Sequence, residues 1–334
     1  MSHITWIFWN ARERRLRAFW RLLVQIVILF FIFLVLQLVI LAPLERFLLP
    51  ESEAVIRFWR MTVGVAIFDG GLILSTLIAA RFLDRRPLQN LGFHLDRDWW
   101  LDLGFGLALG ALLMTLIFAV ELAAGWVVVV DVFQGDVGLP FPLVIWGPLL
   151  AFIFVGVGEE ILSRGYQLGN LAEGLNLPPI GPTGALLLAW ILSSSVFGLL
   201  HFQNPNSSWI STVNLILAGL FLGLGRVLTG ELAIPIGLHI TWNFFQGNVF
   251  GFPVSGARFT QASVLVIQQA GPSLWTGGDF GPEAGLVGIG AILLGCLLTL
   301  AWVRHRRGRV ALALSVTQYR PWQHSSPQQE RIPS

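Results

Sequence analysis

The chain contains no lysine, one cysteine and two tyrosines, and only 12% of its 334 residues are charged. Each shortage excludes something. A soluble domain carries roughly twice that charged fraction. The lone Cys296 sits in an apolar run, which rules out a disulfide framework. A formal charge of +2, with arginine as the only fixed cation, gives no polybasic surface, so nucleic acid is not an expected partner. No period recurs along the chain, which excludes a solenoid.

What is present is hydrophobic length. Apolar residues make up 55% of the chain, and several runs reach the roughly 20 residues that a helix needs to cross a hydrocarbon core of about 30 Å. The expected fold is all-α, a polytopic transmembrane helical bundle. About eight spans lie near 22–44, 61–81, 102–128, 142–163, 183–202, 210–228, 232–251 and 284–303. The first run is too long for a signal peptide and lacks a small-residue cleavage site, so it counts as a retained span. Trp59, Trp99, Trp100, Trp209 and Trp302 fall near span ends, where an amphipathic ring prefers the headgroup zone.

Arginines cluster at 11–21, at Arg81, Arg85 and Arg86, and at 304–309. By the positive-inside rule these segments face the cytoplasm, which puts both termini inside the cell membrane. The expected organisation is an Arg-rich cytoplasmic N-terminus (1–21), N-terminal transmembrane helices (22–141), a core that carries the polar residues (142–251), an outward loop (252–283), a last span (284–303) and a cytoplasmic tail (304–334). The 129–141 connection also faces outward. Residues 81–100 read as an amphipathic segment on the membrane surface, and 310–334 as disordered. Membrane lipids are the expected surroundings.

An ionisable group inside a bilayer is a functional candidate, because hydrocarbon penalises one that lacks a partner or water. In the first three spans only Asp69, Asp102 and Glu121 qualify, each close enough to an end to reach water. The core supplies Glu159, Glu160, Arg164, His201, His239 and Asn243. Glu160 and Arg164 stand at i and i+4, the spacing of an ion pair on one helix face. Glu159 points about 100° away and is left over. His201 closes a hydrophobic helix, while His239 and Asn243 share a face at i and i+4. Taken singly, each has an ordinary reading: a structural pair, an interfacial histidine, an interhelical asparagine.

Together, EEILSR (159–164), FGLLH (197–201) and HITWN (239–243) fit EExxxR, FxxxH and HxxxN in that order. This triplet resembles the CPBP family of intramembrane proteases, which includes the type II CAAX prenyl endopeptidases and many prokaryotic relatives. The similarity covers roughly 142–250. It implies that Glu159 and His201 hold and deprotonate the attacking water, and that His239 and Asn243 stabilise the oxyanion. Glu160 and Arg164 would support the site as an ion pair, with Phe197 packed beneath. The residue types agree: a Glu and a His can polarise one water, and two donors on one face can meet one oxygen. The implied substrate is a membrane-associated peptide or protein, prenylated and CAAX-type in one branch.

Glu159, His201 and His239 also have the chemistry of a three-ligand zinc site with an open fourth position. The HExxH spacing of soluble zinc proteases is absent, so a divalent metal and a metal-free mechanism both stand. Two other function classes use the same residues: a transporter relaying protons or ions through the Glu and His groups, and an inactive membrane scaffold. Transporters often show two repeated halves, whereas the polar residues here lie in one half.

Straight helices raise a problem of depth. At 1.5 Å per residue, His201 lies ~27 Å along its span and His239 only ~10 Å along its own. Either span five begins well outside the bilayer, or the HFQNPNSSW turn dips into a cavity.

Overall fold

Long apolar runs become long helices here even where glycines interrupt them. The computed structural model describes residues 7–48, 53–135, 140–259, 262–319 and 321. Among them, seven helices are long and apolar enough to cross a membrane: Ala18–Leu44, Arg60–Leu83, Arg97–Ala123, Phe141–Leu175, Gly181–Gln203, Trp209–Thr229 and Leu286–Arg307. The chain is an integral, multi-pass membrane protein with an all-α bundle. Its principal α-helices are α1 Ala18–Leu36, α2 Glu53–Ile78, α3 Arg97–Ala123, α4 Trp146–Glu160, α5 Gly181–Leu200, α6 Trp209–Thr229, α7 Ala233–Phe244 and α8 Leu286–Arg307.

Capping follows from local chemistry. Asp96 opens α3 by accepting from Trp99 N at 2.8 Å. Ser208 and Ser211 close a capping box at the start of α6, which ends at Gly230 with φ +78°.

The span expected at 232–251 differs from the rest. It is α7, 12 residues continued by the π-helical turn Phe245–Val249, and every residue of α7 except Thr241 and Phe244 is buried. Protein encloses it because its neighbours carry glycine where it passes. A Cβ on Gly106 of α3 would stand 2.4 Å from Ile234 O, and one on Gly237 of α7 would stand 2.4 Å from Leu103 O. The two backbones therefore touch directly, as small residues allow in membranes, and Thr241 Oγ1 donates across to Leu107 O at 2.8 Å. On α4, Gly156 gives α7 the same room, and Gly158 lets the Asp69 carbonyl of α2 approach to 2.8 Å from its would-be Cβ.

The fourth span runs past its expected end. After Glu160 the chain continues through the π-helical turn Ile161–Gln167 into a helix, Leu168–Leu175. Leu232, just before α7, packs on Gly165. The fourth and fifth helices thus extend about ten residues, or ~15 Å, beyond the start of α7. That extension removes the depth problem, because His201 and His239 now line one cavity.

Other expectations are corrected. The third span ends at Ala123 rather than 128, and the two loops expected to face outward contribute strands. Val127–Gly135 (β3) pairs antiparallel with Ala262–Gln269 (β4), Val127 opposite Gln269 and Gly135 opposite Ala262. The run VVVVDVF is β-branched and aromatic, which suits an extended ribbon better than a helix end. Asp69, Asp102 and Glu121 are buried, not wetted at span ends. Asp102 takes the Trp302 indole N–H at 2.8 Å, and Glu121 takes the Gln269 amide at 2.9 Å.

At the opposite, Arg-rich end, Trp9–Asn10 (β1) and Arg15–Leu16 (β2) form a short hairpin. Arg15, Arg21 and Arg86 converge on Glu173, and Arg21 also meets Asp84 at 3.1 Å. The 81–100 segment is two-faced: Asp84, Arg86, Leu91 and Trp99 are buried against the bundle, while Phe82, Leu88, Leu95 and Trp100 are exposed. Residues 310–319 are ordered as well: Val316 is buried, and the Tyr319 ring lies 3.4 Å from the Arg15 guanidinium. Residues 322–334 lie outside the described residues.

Candidate active site

Five helices and one returning segment enclose a cavity whose walls are mostly apolar. Phe152, Val155, Leu215 and Phe221 form the greasy part, and Glu159, His201, His239 and Asn243 face it from α4, the end of α5 and α7. The seven-residue π-helical turn after Glu160 aims Arg164 back under α4. Its Nη1 donates to Glu160 Oε1 at 2.8 Å, and its Nη2 donates to Gly219 O at 3.1 Å. The expected i, i+4 ion pair is therefore present and fully buried.

Glu160 has a second partner that the spacing does not reveal. His239 Nδ1 lies 2.8 Å from the same Oε1. A carboxylate can only accept, so Nδ1 carries the hydrogen and Nε2 turns toward Glu159, 3.9 Å from its Oε2. That Glu159 oxygen is buried and has no hydrogen-bond partner among the described residues. His201 is fixed in the same sense. Its Nδ1 lies 2.8 Å from Phe197 O, a carbonyl, so Nδ1 donates and Nε2 is the free nitrogen of the neutral ring.

Phe197 joins these groups. Its ring centroid lies 4.7 Å from the His201 ring and 6.2 Å from the His239 ring, with the Arg164 guanidinium 4.3 Å over its face. Asn243, one turn beyond His239, is 7% exposed and faces the cavity. The structure thus brings together all seven residues singled out in the sequence.

Three hydrogen-bonding cavity residues, Asn204, Ser255 and Glu283, were not anticipated. Asn204 follows the His201 turn, and Ser255 and Glu283 belong to the segment expected as a featureless outward loop. That segment roofs the cavity. Asn204 Nδ2 donates to Ser255 O at 3.0 Å, and Gln246 Nε2 donates to Pro253 O at 2.6 Å. Ser255 N and Oγ both donate to Glu283 Oε2, at 2.7 and 3.1 Å. Burial pushes the Glu283 carboxyl above the usual carboxylate range, against the opposing pull of these bonds. The only sequence signal was an acid in a stretch otherwise of Gly, Pro and apolar residues, DFGPEAGL.

Among the described residues no three His, Cys, Asp or Glu side chains are gathered closely enough to hold an ion. Both histidines commit Nδ1 to a protein acceptor and leave Nε2 free, the orientation that a metal-ligating imidazole also adopts.

The fold and the cavity define a class: a polytopic helical membrane protein that gathers Glu, His and Asn side chains beneath a folded roof. Comparison with known families adds a similarity over part of the chain. Residues 141–245 match the Rce1-like family, described as Type II CAAX prenyl endopeptidase Rce1-like. The matched stretch holds all three motifs and bears out the resemblance they carry to these membrane proteases. No curated protein and no solved structure matched the chain.

Proposed function

We propose that this protein is an intramembrane endopeptidase that hydrolyses a peptide bond with a water activated by Glu159 and His201. The observation that carries this reading is the unpartnered Glu159 Oε2, buried beside His239 Nε2 in a cavity that His201 also faces. A buried carboxylate oxygen without a protein partner is costly unless it serves a reaction or a ligand.

The chemistry follows from the tautomers. With Nδ1–H donated to Phe197 O, neutral His201 offers a lone pair at Nε2 and can share the water proton with Glu159. The hydroxide attacks the carbonyl carbon, and the developing oxyanion meets His239 Nε2 and the Asn243 amide. His239 Nδ1–H is committed to Glu160, so Nε2 donates to the oxyanion only when the ring carries both protons. Glu160 on one side and Glu159 on the other supply the counter-charge of that imidazolium. Collapse of the tetrahedral intermediate breaks the C–N bond, and the proton held by His201 and Glu159 passes to the leaving amine. Residues 9–21 and 310–319 meet at the Arg-rich end, which supports a cytoplasmic location for both.

The test is cleavage of lipid-anchored peptides in proteoliposomes by wild type, Glu159→Gln and His201→Ala. Each variant is expected to lose about 10²–10⁴-fold in kcat, the usual worth of a general base. Full activity in both would overturn the mechanism, and ion or solute flux without cleavage would favour transport. Metal analysis of the purified protein with chelator treatment tests the zinc alternative directly.

A further inference from the structure

The roof holds the second acid of the cavity. Glu283 is 5% exposed, faces the same space as Glu159, and comes from the turn just before α8, outside the stretch that carries the motifs. No arginine lines this cavity, and the chain has no lysine, so its fixed charges are carboxylates alone. The closest basic residue of the roof segment, Arg258, is 52% exposed at its side chain and turned to Asp279 at 3.7 Å.

Glu283 is also held in place. Both Ser255 donors address one oxygen, Oε2. Ser255 is itself stitched to Asn204, and Gly256, at φ +85°, packs on Pro205 O, where a side chain would collide. The carboxylate therefore cannot swing away to water without dismantling the roof. Below it the walls are aliphatic and aromatic, a lining suited to the stem of a long side chain.

We infer that Glu283 is a specificity-determining residue that receives a basic side chain of the peptide substrate and rejects a free α-carboxylate next to the scissile bond. This rests on the endopeptidase reading above and gives its substrate class. The physical ground is charge complementarity in a water-poor space. A substrate ammonium or guanidinium neutralises the roof acid, while a substrate carboxylate meets like charges at Glu159 and Glu283, the His239 imidazolium being already balanced by Glu159 and Glu160. A latch that merely holds Ser255 would impose no such preference, because a glutamine accepts the same two bonds.

The experiment uses the full-length protein in proteoliposomes and lipid-anchored peptides that differ in one group. One pair carries lysine or its uncharged isostere norleucine near the cleaved bond, and a second pair ends in a carboxylate or a carboxamide. Wild type is expected to favour lysine and the carboxamide, each by about tenfold or more in kcat/KM, which corresponds to ~1.4 kcal/mol. In Glu283→Gln both ratios should fall toward one. Equal ratios in the two proteins would overturn the inference. So would a wild type indifferent to charge, which decides the matter even if the variant fails to fold. Binding of the same peptides to Glu159→Gln separates the two readings. Charge-selective binding with no cleavage by wild type removes the protease and keeps the Glu283 site. Cleavage without charge preference does the reverse.

Discussion

Glu160 was expected to serve Arg164 and nothing else, and the structure gives it a second client that a double variant can isolate. Its Oε1 accepts from Arg164 Nη1 and His239 Nδ1, each at 2.8 Å, and the side chain is fully buried. Glu160→Gln keeps an acceptor oxygen but removes the charge, leaving a buried guanidinium without its counter-ion. Breaking such a pair from one side costs about 3–5 kcal/mol, and the retained amide oxygen puts this case at the lower end. Adding Arg164→Met removes the stranded cation, and replacing a whole buried pair with apolar groups is often neutral or stabilising. Stability should therefore return in the double variant. Activity should not, because His239 still lacks the carboxylate that orients it, and losing an oxyanion donor costs about 10²–10³-fold in kcat. Thermal unfolding in detergent and kcat/KM in proteoliposomes, measured on both single variants and the double, give the two readings. If stability and activity recover together, Glu160 acts through Arg164 alone and the role assigned to His239 Nδ1 is wrong.

Three further outcomes follow from the packing and the buried charges. Gly237→Ala places a methyl group 2.4 Å from Leu103 O and should destabilise by about 1–3 kcal/mol or more, whereas Gly290→Ala, with nothing within 4 Å, should leave the unfolding temperature unmoved. Glu173→Gln removes the acid on which Arg15, Arg21 and Arg86 converge and should lower stability by about 3–5 kcal/mol, with release of the 310–319 segment read as faster amide exchange. Glu283 has a folded pKa raised by burial above its ordinary 4.5, so the folded protein holds that proton to higher pH than the unfolded chain does. Its favourable contribution is present below the ordinary value and is lost as pH rises through the raised one. Wild type should lose more stability than Glu283→Gln over that rise, and parallel pH–stability curves would contradict the assignment.

The sequence made some of this legible and hid the rest for identifiable reasons. Glu159, Glu160, Arg164, His201, His239 and Asn243 could be found because each motif lies within one helix, where a spacing of four is a shared face. The Glu160–His239 bond joins residues 79 apart in the chain. It exists because Gly156 lets α7 lie against α4 closely enough, and no local pattern encodes that crossing. The fourth span is expected to end at 163 but continues to Leu175, because Arg164 is satisfied within the bundle by a buried acid and a backbone carbonyl. The strands β3 and β4 and the roof over the cavity were invisible for the same kind of reason: their partners lie more than a hundred residues away or on other helices. Tyr319 was assigned to a disordered tail because a cation–π contact with Arg15 leaves no periodic trace.

The roof has one more consequence, for how the protein is made. The motif residues end at Asn243, while Ser255, Glu283 and Ile292 complete the cavity afterwards. Chains emerge from the ribosome N-terminus first, so every group assigned to water activation enters the bilayer before the enclosure around it exists. A nascent chain that has inserted its first seven helices holds the reactive groups in an open trough. Closure waits for the passage of α8, and with it the moment at which a membrane-embedded hydrolase could first act. In a cell, synthesis order would then hold the proposed activity back until α8 is in place.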